Sequence, residues 1–490
     1  MAARVTTHID IPVSDDVLLE IFDAYLQIYE LQLNYLCLWS SRDGWFKLAH
    51  VCLRWRRVVF SASSRLHLCL LYTPRRSSRD PVLRCLPRFP IFANYHSVKS
   101  WTKKEEKLVL AAIRDPGHVR GITLERPFPE TVHLALSRHF PILESLTIYS
   151  MSTLDEVSLP PTFLSGSAPC LRQLTLQDIS LGCLSSLLSS ATGLTDVSLT
   201  LRIARRGPRD ASLRGPRDAS LCGPPDASLL TNLQRMSCLR RLKLGFIHGF
   251  SSFAIEIPIC SPLPLPACAE EVVSLSKLTD FIFVGPGSYL QMLVAGLAAP
   301  SLQYLDAIVD DNPPRSYIPH LCKFICDKEC QFIKVRLDIW QWRLRFSADT
   351  WSKSDRAQPF GVTIPTPVSL QQIGNIFSEP LSTVEEFAIG WDEIFPSELA
   401  RGHKQWRELF GHIPRTKIIQ VSSQAALNVA DSFRIGGQGP ILDILPALEQ
   451  VKVCFPVGWQ DWRCAPTYDA FNLLVSAREK VGRSIVVSRA

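Results

Sequence analysis

A short apolar pattern recurs along most of this chain and constrains its fold more than any other feature. Each copy has an apolar residue, two variable residues, a second apolar residue, one variable residue and a third apolar residue. The last two apolar positions are two residues apart, which is the spacing of a strand with one buried face. The clearest copies begin at Leu143, Leu171, Leu194, Leu239, Leu278 and Leu448, and weaker copies begin at Leu302, Phe332 and Val384.

Segments compatible with helices lie between these strands, as at residues 182–190 and 288–297. One strand and one helix in each unit predict an α/β chain whose strands stack side by side in a parallel sheet. The pattern resembles the longer leucine-rich repeats, over about residues 119–489. That resemblance implies an irregular leucine-rich-repeat solenoid, a curved parallel sheet with outer helices. An ordinary α/β domain with leucine-rich strands remains the alternative.

Two segments interrupt the pattern. Residues 207–230 hold an eight-residue sequence written three times, and its Gly-Pro and Asp residues favour a surface loop. A repeated binding motif is the alternative for this segment. Residues 340–370 carry two strand-like runs around a polar middle, which predicts a hairpin inserted in the array.

The amino-terminal segment has the features of short amphipathic helices. Ser14 is a plausible N-cap, and the acidic residues after it favour a helix start. At helical spacing one face would hold Val17, Leu18, Ile21, Phe22 and Tyr25. In a second run one stripe would hold Leu48, Val51, Cys52, Trp55 and Val58. Helices this short form a small core, so that docking to another protein would stabilise them.

These residues resemble an F-box. The resemblance rests on Pro12 after an isoleucine, on the helix 17–22 and on Val51-Cys52-x-x-Trp55. With the downstream segments 64–74 and 86–91 it is similar to fungal F-box proteins that carry degenerate leucine-rich repeats. The resemblance implies an F-box and connecting helix at residues 1–72, a basic linker at 73–100, and a repeat array at 101–490 with a disordered loop at 207–230. It implies that the residues binding a Skp-type adaptor, which carries a cullin ligase, are Pro12, Val17, Leu18, Ile21, Phe22, Leu48, Val51, Cys52, Trp55 and Val58.

Composition narrows the class further. Of the 490 residues 46% are hydrophobic and 20% are charged, which is typical of globular chains and excludes overall disorder. Neither a signal peptide nor a membrane span is evident, and the 15 cysteines are scattered singly, which favours an intracellular setting, cytoplasmic or nuclear. Residues 42–88 hold eleven Lys and Arg against two Asp. Such a segment attracts nucleic acid or an acidic protein surface, and a solvated basic face is the alternative.

The sequence contains no phosphate loop, nucleophile elbow or zinc-protease motif, so we expect no enzyme activity and no cofactor. One group, His320, Cys322, Cys326 and Cys330, has partial metal-ligand character. On a continuous helix its outer cysteines would be about 12 Å apart, too far to share one zinc. A buried helical stripe is therefore the expected role of this group, and no metal is predicted.

Residues that alternate with the buried strand positions would face the exposed side of the sheet. Basic residues among them would receive an acidic or phosphorylated segment of a substrate, although several aspartates lie between them. The predicted substrate-binding residues are Arg241, Lys243, Tyr304, Lys334, Arg336 and Glu386.

Together these features predict a non-catalytic substrate-recognition subunit of a ubiquitin ligase that contains a Skp-type adaptor, a cullin and an F-box protein. The partners would be the adaptor and an unknown protein substrate, without a membrane. A leucine-rich-repeat scaffold without ligase attachment is the first alternative. A basic nucleic-acid-binding protein is the second, and an enzyme without a recognised motif is the last.

Overall fold

The computed structural model describes most of the chain. The described residues are 13–33, 44–62, 66, 70–72, 90–95, 102–126, 130–150, 162–177, 184–203, 227–248, 272–309, 320–321, 324, 331–339, 343–351, 358–365, 369–391, 403–434, 444–455 and 465–489. The chain divides into two compact units, residues 1–177 and 178–490, so the division falls inside the predicted repeat array. No helix among the described residues has both the length and the apolar character needed to cross a lipid bilayer.

Three helices open the first unit. They are α1 (Asp15–Leu33), α2 (Gly44–Ala49) and α3 (Leu53–Ser61). The Ser14 hydroxyl accepts a hydrogen bond from the Val17 backbone N–H at 3.3 Å, and the Ser14 carbonyl accepts one from Leu18 at 3.1 Å. These bonds satisfy helix-start donors that have no partner within the helix. The predicted N-cap at Ser14 is confirmed.

The second helical run is broken, which corrects the expectation of one continuous stripe from Leu48 to Val58. Cys52 adopts an extended conformation, and its sulfur accepts a hydrogen bond from the Trp55 backbone N–H at 3.4 Å. The thiol therefore caps the start of α3. At the end of α2 the Arg56 Nε donates to the carbonyl oxygen of Ala49 at 2.9 Å. Val51 and Cys52 consequently lie between two short helices.

A parallel sheet completes the first unit. Its strands, paired in chain order, are β1 (Leu70–Tyr72), β2 (Ile91–Tyr95), β3 (Val119–Arg126), β4 (Ser145–Ser150) and β5 (Gln173–Gln177). Between β2 and β4 lie α4 (Lys103–Ala112) and α5 (Glu130–Leu136). Because β1 and β2 precede residue 101, this sheet begins upstream of the predicted start of the array and includes part of the predicted linker.

The second unit contains a larger, mostly parallel sheet. Its strands are β6 (Asp196–Ile203), β7 (Arg241–His248), β9 (Asp280–Gly285), β11 (Tyr304–Val309), β12 (Gln331–Ile339), β13 (Arg343–Trp351), β14 (Gln358–Pro365), β15 (Glu386–Trp391), β16 (Ile418–Ser422), β17 (Gln450–Cys454) and β18 (Val486–Arg489). The spatial order is β6-β7-β9-β11-β14-β13-β12-β15-β16-β17-β18. A separate short pair joins β8 (Val273–Ser274) to β10 (Leu297–Ala298).

Helices connect these strands as the alternating pattern predicted. They are α6 (Leu184–Ser190), α7 (Ala227–Gln234), α8 (Gly287–Gly296), α9 (Leu370–Ile376), α10 (Ser378–Leu381), α11 (His403–Gly411), α12 (Ser423–Arg434) and α13 (Ala465–Glu479). Residues 207–226 of the triplicated segment lie outside the described residues. Residues 227–230 form the first turn of α7, where Leu229 and Leu230 are buried, so the predicted loop is wrong for these four residues.

Strand register explains why the apolar pattern recurs. Leu242 lies opposite Phe281, and Leu244 lies opposite Phe283, so equivalent pattern positions form continuous buried rows across the sheet. Burying such rows supplies the main stabilisation of a stacked strand–helix array. The result is a mixed α/β chain with a mostly parallel sheet, consistent with a leucine-rich-repeat type of solenoid.

The predicted insertion is confirmed as antiparallel strands. β13 is antiparallel to β14 on one side and to β12 on the other. β14 then pairs in parallel with β11, and β12 pairs in parallel with β15. The insertion therefore continues the sheet instead of interrupting it.

Candidate functional site

The three amino-terminal helices and Leu66 share a hydrophobic core, and we call the described residues 13–33, 44–62 and 66 the helix cluster. Phe22 is fully buried and contacts Trp55 edge to face, with ring centroids 4.8 Å apart. The buried members of the core are Leu18, Leu19, Phe22, Leu48, Ala49, Val58, Val59 and Leu66. Helices as short as α2 and α3, with six and nine residues, are stable only through such packing.

Four of the predicted adaptor-binding residues lie inside this core, which corrects their assignment to a contact surface. The buried residues are Leu18, Phe22, Leu48 and Val58. Their side chains hold the helices together and are not available to a partner. Trp55 is partly buried against the same core. Pro12 lies outside the described residues.

The remaining predicted residues are exposed. The exposed fractions are 49% for Val17, 48% for Ile21 and 59% for Val51, and Cys52 is exposed as well. The sequence reasoning missed Leu53, which is 73% exposed. Leu53 directly follows the N-cap residue Cys52 and is the first residue of α3. This position at the helix start is the sequence signal that would have indicated its exposure. A role of these residues toward a partner stays a prediction.

An ion pair joins the starts of α1 and α3. The Arg54 guanidinium donates to the Asp15 carboxylate through Nη2 at 2.8 Å and Nε at 3.1 Å, and also to the Val13 carbonyl oxygen. Val17 and Leu53 therefore lie in the first turns of two neighbouring helix starts. Arg54, like Arg56, is engaged within the cluster, so part of the basic segment serves the fold.

The exposed sheet face of the second unit carries charges that pair with one another. Arg241 forms an ion pair with Asp196 on the neighbouring strand. Lys334 pairs with its register partner Glu386 at 2.9 Å. Most of the predicted basic receptor for an acidic segment is thus neutralised internally, as opposite charges placed side by side on one sheet face stabilise each other.

The other predicted residues of this face show the same tendency. Arg336 donates from Nε to both oxygens of Asp338, at 2.9 Å each. Lys243 is exposed and makes no ion pair with any residue that the structure describes. The structure therefore leaves Lys243 as the one predicted cation of the substrate set without a carboxylate partner in the described ranges.

Tyr304 lies among charged groups on this face. Partial burial raises the pKa of its phenol, and the nearby carboxylates of Asp306 and Asp280 raise it further, while Arg345 opposes them. Asp306 and Arg345 form an ion pair at 3.6 Å. A phenol with a raised pKa stays protonated near neutral pH and can donate a hydrogen bond.

Glycines on neighbouring strands provide the space that the Asp306 and Asp338 side chains occupy. A Cβ atom at Gly361 would lie 2.8 Å from Oδ1 of Asp306 and 3.4 Å from Arg345 Nη2. A Cβ atom at Gly390 would overlap Oδ1 of Asp338. Both aspartates therefore rest against a neighbouring strand at a position where only glycine leaves room.

The described residues contain no group of three or more His, Cys, Asp and Glu side chains arranged to hold a metal ion. Of the group that the sequence singled out, only His320 lies in the described ranges, while Cys322, Cys326 and Cys330 lie outside them.

No family model matches the sequence, and no curated protein matches it. Among solved structures, the leucine-rich repeat-containing protein LegL7 from Legionella pneumophila matches with a TM-score of 0.26 and 10% sequence identity, covering 74% of this chain and 99% of that chain.

Proposed function

We propose that this chain is a non-catalytic protein-interaction protein, in which the helix cluster binds one partner and the sheet face of the second unit binds another. The observation that carries the proposal is the set of apolar side chains exposed on the helix cluster. The core of the cluster consists of other residues, and Val17, Ile21, Val51 and Leu53 lie exposed outside it. Apolar side chains grouped on the surface of a small helical unit are typical of a docking site.

The more specific form of the proposal is a substrate-recognition subunit of a ubiquitin ligase. It is supported by the resemblance of residues 10–60 to an F-box, above all by Val51-Cys52-x-x-Trp55. In this function the helix cluster binds a Skp-type adaptor, and the adaptor joins the chain to a cullin ligase. The strand array holds the substrate, so the chain itself catalyses no step.

A scaffold without ligase attachment is the second candidate function. The mostly parallel strand array supports it equally well, because such arrays commonly present extended binding surfaces. Its helix cluster would then bind a different partner or only complete the fold. Binding of nucleic acid by the basic segment is less well supported, because Arg54 and Arg56 make contacts within the helix cluster.

The test is binding of the full chain to a Skp-type adaptor, measured by co-expression, pull-down and titration. The Val17→Asp, Ile21→Asp double variant places carboxylates on the exposed face of α1, where substitution leaves the core intact. The matched control is Leu134→Asp on α5, because Leu134 is 64% exposed in the same unit and lies outside the helix cluster.

Wild type and the Leu134→Asp control should bind the adaptor equally. The double variant should lose affinity by about tenfold or more, because two desolvated apolar contacts are replaced by charges. Absence of binding by folded wild type would remove the ligase proposal and leave the scaffold. Equal weakening by the control would show that α1 is not the contact surface.

A further inference from the structure

Two strands of the second unit begin with the same Thr-Asp pair. Asp196 opens β6 and Asp280 opens β9, each after a threonine. The Thr195 hydroxyl donates to Asp196 Oδ2 at 2.8 Å, and the Thr279 hydroxyl lies 2.6 Å from Asp280 Oδ2. Both carboxylates are partly buried on the exposed face of the sheet. The two positions are thus structurally equivalent, and their surroundings can be compared directly.

The next strand provides a different side chain in the two places. The register partner of Asp196 on β7 is Arg241, which forms an ion pair with it. The register partner of Asp280 on β11 is Tyr304, which carries no charge near neutral pH. Arg241 is also the register partner of Asp280 on the other side, but its Nε is bonded to Asp196. Within the described part of the chain, Asp280 therefore has no cationic partner.

The other charged groups nearby leave this carboxylate uncompensated. Asp306 follows Tyr304 by two residues on the same face, and it pairs with Arg345. Lys243 is the register partner of Ile282, two residues further along β9 than Asp280. It forms no ion pair with Asp280. The Thr279 hydroxyl beside Asp280 also lies 3.0 Å from the Arg240 carbonyl oxygen. A partly buried carboxylate with at most this one hydroxyl donor keeps unused acceptor capacity that suits a guanidinium or an ammonium group.

Apolar side chains continue the same face beside Asp306 and beyond it. Ile282, Val284 and Ile308 are partly exposed and alternate with buried core residues. We call the resulting strip the β9–β11 surface, and it consists of Asp280, Ile282, Val284, Tyr304, Asp306 and Ile308. The β9–β11 surface thus has carboxylates toward one end and apolar side chains over the rest. Protein interfaces commonly combine a polar rim with an apolar centre.

We propose that the β9–β11 surface binds an extended segment of a partner protein that carries an arginine or lysine side chain. The cation takes the place against Asp280 that Arg241 takes against Asp196, and apolar residues beside it pack on Ile282, Val284 and Ile308. Charge complementarity with the unpaired carboxylate identifies this occupant. The inference rests on the proposed function and names the class of substrate, which is basic and apolar instead of acidic or phosphorylated.

The experiment selects peptides from a displayed library of random sequences of about 12 residues, long enough to cross several strands. The full chain and its variants are the immobilised targets, and the best enriched peptide is then titrated against each. Asp280→Asn removes the charge and keeps the shape. Tyr304→Arg supplies an internal cation in the geometry of the Arg241–Asp196 pair. The control Glu385→Gln removes a carboxylate elsewhere in the unit, one that already pairs with Lys417 at 3.1 Å.

Wild type should enrich peptides with arginine or lysine beside apolar residues. Asp280→Asn and Tyr304→Arg should each weaken the best peptide by about tenfold, while Glu385→Gln should leave its affinity unchanged. Enrichment of acidic peptides, absence of enrichment, or unchanged binding by Asp280→Asn would each overturn the inference. Adaptor binding is measured separately on the same proteins, so failure of this inference and failure of the proposed function are distinguishable.

Discussion

The helix cluster and the sheet of the second unit present opposite kinds of surface. The helix cluster exposes apolar side chains such as Val17 and Leu53. The sheet face exposes charges that are mostly paired with one another, as in the Lys334–Glu386 pair. This difference is the basis of the two proposed binding modes. Desolvation of apolar groups supplies affinity, whereas an unpaired charge among paired charges supplies selectivity.

The physical origin of the difference is periodicity. On a helix of 3.6 residues per turn, Val17 and Ile21 fall beside the stripe that Leu18 and Phe22 bury, so apolar residues remain at its flank. On a strand the period of two separates buried from exposed residues completely, and the register then brings exposed charges of adjacent strands together.

The largest expected effects come from equivalent core truncations in the two regions. Phe22→Ala in the helix cluster and Phe283→Ala in the sheet each remove a fully buried ring, and each should cost about 3–5 kcal/mol locally. Phe22→Ala should abolish adaptor binding, and Phe283→Ala should preserve it. Hydrogen exchange shows which region each substitution destabilises. Titration with the adaptor then measures binding by each variant. Loss of adaptor binding with Phe283→Ala would break the distinction between the regions.

A smaller difference in stability is expected between substitution of a buried arginine and substitution of an exposed arginine. Arg478 is fully buried, and its Nη2 donates to the carbonyl oxygens of Ile444 at 2.8 Å and Leu445 at 2.6 Å. Burial, with a smaller effect of Arg483, lowers the pKa of Arg478. Arg478→Met removes the side-chain donor from both carbonyl oxygens, although that of Leu445 keeps a hydrogen bond from the Leu448 backbone N–H at 3.1 Å. The loss is partly offset by removal of a buried charge and should cost about 2 kcal/mol.

The comparison for this arginine is Arg54→Met in the helix cluster. The pair of Arg54 and Asp15 is largely exposed, so its loss should cost less than about 1 kcal/mol. Urea unfolding of both variants checks the two values. Equal costs would contradict the expectation that the buried Arg478 contributes more to stability than the exposed Arg54.

Glycine substitutions test how tightly the sheet charges are placed. Gly361→Ala puts a methyl group 2.8 Å from the Asp306 carboxylate, which must shift, and should cost about 1 kcal/mol. Gly411→Ala, at the end of α11, meets no atom within 4 Å and should stabilise by up to about 0.5 kcal/mol through helix propensity. Thermal unfolding should show shifts of opposite sign, and shifts of the same sign would argue against the role assigned to Gly361.

The smallest expected effect concerns pH. The Tyr304 pKa in the folded state is raised above its ordinary value of 10.0, so the stabilisation is complete below pH 10 and is lost as pH rises through the folded-state pKa. Tyr304→Phe should therefore lose less stability than wild type above about pH 10, by less than about 1 kcal/mol. Urea midpoints between about pH 8 and pH 11 check this. Parallel curves would show that neither burial nor the nearby carboxylates raise the pKa of Tyr304.

The apolar pattern predicted the buried strand positions because each copy buries the same two residues, and Leu242 and Leu244 illustrate the outcome. The inserted antiparallel strands were also predictable, since the pattern failed there. The pairing of charges was not, because Arg241 meets Asp196 through the register of two strands that are distant in sequence. The signal for Asp280 was present in the repeated Leu-Thr-Asp at residues 194–196 and 278–280.

The helix cluster shows another limit of sequence reasoning. The break between α2 and α3 depends on the thiol of Cys52 acting as an N-cap, a role more often taken by Ser, Thr, Asp or Asn. The predicted apolar face of α1 also left out Leu19, which joins the core, whereas Val17 on that face is exposed. A single helical face of this width accommodates either residue, and only packing against the other helices decides between them.

Hydrogen exchange of the full chain with and without the Skp-type adaptor tests the central claim most directly. The account predicts new protection in α1 and at the start of α3, with no change in β9 and β11, which remain available to a basic segment. Protection of the sheet face by the adaptor, or bound adaptor without protection of α1, would contradict the assignment of the two surfaces.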